Sequence, residues 1–188
     1  MKLSEHKALK AEIISLPQKE KDKLLLRLVA KDKVLTEHLH FLLLEDEINL
    51  KERVTSLKEE ILLAEQHLKE SKSVSSRDVI LTMRKLLKAV NHFLKVTKAS
   101  FEDVELRIFL LSHMPAKSKT RSFSLAKNYD QLLAVFFVKS IIATLKKFDK
   151  LHEDLQFDLR EDINKLLTQT FTAIPNMAAE LELPKQIY

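Results

Sequence analysis

Residues 46–70 read DEINLKERVTSLKEEILLAEQHLKE, and within them Leu50, Val54, Leu57, Ile61, Ala64 and Leu68 follow one another in steps of four and three. An α-helix turns once in about 3.6 residues, so this spacing lines the six side chains up on one face, as in a helix lying nearly antiparallel on a neighbour. The pattern predicts one unbroken helix over 46–70 whose Leu50, Val54, Leu57, Ile61 and Leu68 are buried, within the chain or against a second copy.

The same periodicity runs outward on both sides. Downstream, residues 71–76 hold four serines in six positions and read as a linker. Ser75 with Asp78 makes a capping-box start for a fifth helix carrying Val79, Met83, Leu86, Val90 and Phe93, and Ser100 with Asp103 repeats the device for a sixth carrying Phe101, Val104, Ile108 and Leu111. That helix stops before Pro115, and 115–124 reads as a loop. A seventh helix, over about Lys127 to Lys150, is apolar nearly all round at its centre and is expected to be surrounded by others. An eighth carries Leu155, Leu159, Ile163, Leu166 and Phe171 and ends before Pro175; whether Asp149 to Asp154 separates it from the seventh is left open. A short helix and tail complete the chain.

Upstream, Pro17 divides a first helix bearing Leu9, Ile13 and Leu16 from a second that runs to about Ala30 with Leu24, Leu25, Leu28 and Val29. A third carries Val34, Leu35, Leu39 and Leu42 to Leu44, and the three are expected to stack. The fold class is therefore all-α, an irregular bundle of seven to eight helices. Its expected division is an N-terminal helical layer over 1–72 and a C-terminal bundle over 73–188 built around the seventh helix, with one continuous domain as the other arrangement.

Composition narrows the chemistry. Among 188 residues there is no glycine, where ordinary usage of about 7 % supplies roughly thirteen. Phosphate-cradling loops, dinucleotide fingerprints and nucleophile elbows all need a backbone approach or a positive φ that glycine supplies, so these motifs are absent. The chain also has no cysteine, which removes disulfides, thiolate nucleophiles and cysteine-held metal centres and fits a reducing compartment. Glu5, His6 and Lys7 interrupt any apolar run near Met1, and the most apolar stretch, Leu132 to Ala143, is shorter than the roughly 18 residues of a membrane span. A soluble, cytoplasmic protein without membrane partners is expected.

Charge is segregated along the chain. Residues 72–98 carry seven positive and one negative charge, and 113–127 carry four positive and none negative; 45–70 carry four positive and eight negative, and 149–162 two positive and six negative. On the fifth helix Arg77, Arg84, Lys88, Asn91, Lys95 and Lys98 line the face opposite the apolar stripe, a basic band about 30 Å long at 1.5 Å per residue. Lys117, Lys119 and Arg121, with Phe123 and Tyr129 nearby, extend it if the fold brings them together. Such a face suits an acidic protein, self-association through oppositely charged faces, or a phosphate backbone, unless glutamates of the fourth or eighth helix neutralise it.

Metal chemistry has little to work with. Glu37 and His40 form one E-x-x-H pair of the kind that di-iron bundles use twice, and Asp149 with His152 is the only near-match for a second. His152-Glu153 lacks the second histidine of H-E-x-x-H, because Gln156 stands there, and His38 and His40 point to different sides of a helix. No catalytic motif, cofactor or metal is expected. The expected role is a non-catalytic structural or protein-interaction module; a nucleic-acid-associated protein using Arg77 to Lys98 is the first alternative, and a metal-dependent bundle enzyme seeded by Glu37 and His40 the second.

Overall fold

The computed structural model describes residues 5–71, 73–118 and 128–188. Nine α-helices and no strand occur among the described residues: α1 (Lys7–Ser15), α2 (Gln18–Val29), α3 (Lys33–Leu44), α4 (Glu47–Glu70), α5 (Ser76–Thr97), α6 (Ser100–His113), α7 (Tyr129–Phe148), α8 (Glu153–Ala173) and α9 (Pro175–Glu180). The all-α reading holds, and no described helix is long and apolar enough to cross a membrane. Asp149 to His152 does break the helix, so α7 and α8 are separate.

Contacts divide the chain into two units, Met1–Glu45 and Asp46–Tyr188. The division therefore falls between α3 and α4 and not near Lys72, because α4 packs on α5 and α6 and belongs with the second unit. In the first unit α2 and α3 touch, and Asp32 caps α3 by accepting from the backbone N–H of Val34 and Leu35. None of its described residues is buried, so the three helices expected to stack build no core of their own.

The second unit has one continuous core. Its centre is α6, which packs against α4, α5, α7 and α8, whereas α7 meets α5, α6 and α9. The expectation that α7 lies at the middle is thus corrected. Seven of the fourteen residues of α6 are buried, including Val104, Leu106, Ile108, Leu110 and Leu111; on α7, Leu132, Lys139 and Lys146 face outward and leave one side uncovered. An apolar centre on α7 signalled burial, but the number of neighbours follows from where short α6 is wedged.

On α4 the heptad face points inward as expected, to unequal depth. Ile61 is buried, while Leu50, Val54, Leu57, Ala64 and Leu68 are half-buried against the core. Lys85 of α5 reaches Glu60 of α4 at 3.3 Å, and Lys58 of α4 reaches Glu105 of α6 at 2.7 Å, so charged rims flank the apolar seam.

The start of α5 shows why the helix begins where it does. The Ser75 hydroxyl and backbone N–H donate to the Asp78 carboxylate at 2.6 and 3.1 Å, and the Asp78 N–H returns to the Ser75 hydroxyl oxygen. These bonds, the side-chain one foremost, hold the Asp78 carboxyl below its ordinary range. The second capping box did not form. Ala99 is the N-cap of α6 with no side-chain cap, and Asp103 is buried.

Two stability measurements test this description. Ile61→Ala is expected to cost about 2–5 kcal/mol in urea unfolding, against less than about 1 kcal/mol for the half-buried Leu50→Ala, and equal costs would contradict the uneven seam. Ser75→Ala should cost about 1 kcal/mol near pH 7. Because the folded-state pKa of Asp78 is depressed, the stabilisation from that carboxylate is present above its unfolded value and lost as pH falls through the folded value, so the gap between wild type and Ser75→Ala should narrow below about pH 4.

Candidate anion-binding face on α5

One side of α5 is fixed by packing, and that fixes the other. Val79, Ile80, Met83, Leu86, Val90, Phe93 and Val96 are buried, which turns Arg77, Arg84, Lys88, Asn91, Lys95 and Lys98 to the exposed side. Arg84, Lys88 and Lys95 come together with Leu87, Asn91, His92 and Phe136 as the lining of an open cleft of about 410 Å³. Phe136 comes from α7, and the Arg84 guanidinium lies 5.5 Å from the centre of its ring, a cation–π arrangement. The two helices run side by side in the same direction: near their starts the Ser76 hydroxyl donates to the Asp130 carboxylate.

The remaining basic candidates sit elsewhere. Arg77 is exposed in the first turn of α5 beside Asp78. Lys98 is the exposed C-cap, in the left-handed conformation at φ 58°. Lys117 lines a different cavity, of about 340 Å³, with Leu68, Val74, Val79 and Met114, so it does not extend the cleft. Lys119, Arg121 and Phe123 lie outside the described residues.

Arg84, Lys88 and Lys95 have no carboxylate partner among the described residues. Several acids of α4, α6 and α8 are engaged with other cations: Glu60 with Lys85, Glu65 with Lys69, Glu105 with Lys58, and Glu161 and Asp162 with Lys165. The packing partners of α5 itself are α4, α6 and α7.

Beneath the cleft lies a charged network that the sequence reading missed. Asp103, 1 % exposed, accepts from Arg107 Nε at 3.0 and 3.1 Å and from Lys147 Nζ at 2.8 Å. Arg107, itself buried, donates from Nη2 to Asn91 Oδ1. One carboxylate against two cations leaves one net positive charge under Asn91. The four-residue step from Asp103 to Arg107 was visible in the sequence as a helical ion-pair spacing; the arrivals of Lys147 and Phe136 from α7 were not.

The residues weighed for metal binding have other partners. His40 pairs with Glu45 at 2.9 Å, and His152 with Asp154 at 3.2 Å. Among the described residues no three His, Asp or Glu side chains gather as a metal site. No family model, curated protein or solved structure matches the chain, and its function is read from its own residues.

Asp103→Ala is expected to destabilise the protein by about 3–5 kcal/mol in chemical unfolding, because Arg107 is left as a buried charge without its counter-ion. A cost below about 1 kcal/mol would show that water or another group solvates Arg107 and that the network is peripheral.

Proposed function

We propose that the protein is a non-catalytic interaction module that holds an acidic segment of a protein partner on the α5 face. The observation that supports this most is the gathering of Arg84, Lys88 and Lys95, which have no carboxylate partner among the described residues, around a cleft that also offers Leu87 and Phe136. Opposite charges steer and orient a partner, while apolar contact at the cleft adds affinity that charge alone gives poorly in water. A phosphate backbone would use the three cations and leave Leu87 and Phe136 idle, which favours the acidic segment over nucleic acid.

The test uses the full chain and two fluorescent probes, a peptide of alternating Glu and Leu and a short DNA duplex. The peptide should bind at low salt and weaken as salt rises, and Arg84→Ala/Lys88→Ala/Lys95→Ala should abolish binding while unfolding at the wild-type denaturant concentration, since exposed helix positions accept Ala. Peptide binding that is missing at low salt, or unchanged by the triple substitution, would overturn the reading. Tighter binding of the duplex, with log affinity falling by about 0.9 per neutralised phosphate for each log unit of salt, would replace it with a nucleic-acid function.

A further inference from the structure

Asn91 sits in the middle of the cleft, between Lys88 one turn before it and Lys95 one turn after. Its carboxamide is not free to turn. Arg107 has only donors to offer, so the Asn91 atom it meets has to be the carbonyl oxygen Oδ1. Arg107 is held in turn by both oxygens of Asp103, and Asp103 by Lys147 from α7. With Oδ1 committed to the buried side, the planar amide presents Nδ2 as the end left over, and Nδ2 has no hydrogen-bond partner among the described residues.

We propose that the α5 cleft is a carboxylate-binding site in which Asn91 Nδ2 is the specificity-determining donor and the buried Arg107 is the positioning residue that fixes it. This rests on the reading of the α5 face as the dock for an acidic segment. Lysine side chains are long and mobile and mark a charge without a direction, whereas Asn91 is short and clamped from behind. A carboxylate placed between Asn91 and a neighbouring lysine takes one directional N–H from the amide and one charge-assisted bond from the ammonium. The net positive charge of the Asp103, Arg107 and Lys147 group adds to the attraction from below. The site thus selects planar carboxylates of Asp or Glu side chains in the docked segment.

The decisive variant is Asn91→Asp. An aspartate keeps the oxygen that Arg107 needs and turns that contact into an ion pair, so the fold should be as stable as wild type or more so. The same change removes the amide donor and puts a negative charge where the ligand carboxylate sits. Binding of the Glu/Leu peptide by the full chain should then fall by about tenfold or more while the melting temperature holds or rises, a pair of changes that a purely structural Asn91 would not produce. Asn91→Ala should weaken binding less than Asn91→Asp. A second peptide carrying phosphoserine in place of one Glu should bind no better than the first. Wild-type affinity in Asn91→Asp, with binding still lost in the Arg84/Lys88/Lys95 variant, would overturn the role of Asn91 and leave the docking face standing. Loss in neither variant would overturn both, and binding of the phosphoserine peptide alone would overturn the carboxylate assignment.

Discussion

The carboxylate of Asp103 is the point on which three helices of the larger unit depend. It lies in the first turn of α6, it receives Arg107 from its own helix and Lys147 from α7, and through Arg107 it reaches Asn91 of α5. A buried charge is tolerated only where its partners are in place, so this one group constrains how α5, α6 and α7 can sit. Apolar contact among Val90, Phe93, Ile108, Phe137 and Ile141 gives the cohesion, and it is indifferent to small rotations of a helix. The ionic group is not indifferent, and within the outward face that the apolar stripe sets it holds Asn91 of α5 against Arg107.

Much of this was legible in the sequence and some of it could not be. The α4 heptad, the break at Pro17 and the Ser75–Asp78 cap are local, each set by residues within a few turns of one another, and the helices appear where that spacing puts them. The outward face of α5 is a corollary of its apolar stripe. Asp103 misled because an acid three residues after a serine fits a cap and also fits a buried ion pair with Arg107, and only tertiary packing decides between them. The centre of the bundle and the membership of α4 were hidden for the same reason, since both turn on which helices become neighbours. Phe136 could be assigned to the cleft only once α7 was known to lie beside α5.

The first unit shows how far local signals can go without a core. Its helices start and stop at recognisable points, Pro17 and Asp32 among them, and Thr36 ties α3 to the end of α2 by donating to the Val29 carbonyl at 2.9 Å. Yet Leu43 and Leu44 are 71 and 74 % exposed. Caps and periodic leucines specify that a segment is helical; they do not supply the enclosed apolar volume that holds helices together, and a unit of this length is at the small end of what can enclose one.

The Asp103 group also combines one contact that is local in sequence with one that is distant. Arg107 follows Asp103 by one helical turn, so their pairing becomes available as soon as α6 coils and needs no residue of α7. Lys147 comes 44 residues later. In the interval the carboxylate already has a cation of its own, and the α5–α6 hairpin, joined by only Lys98 and Ala99, can close without leaving a naked charge inside it. Lys147 then acts as a latch: α7 docks onto a hairpin whose electrostatics are settled, and its lysine adds the extra charge last. In a bundle assembled in that order neighbours in sequence close first, and the distant Lys147 bond joins a pair that is already made.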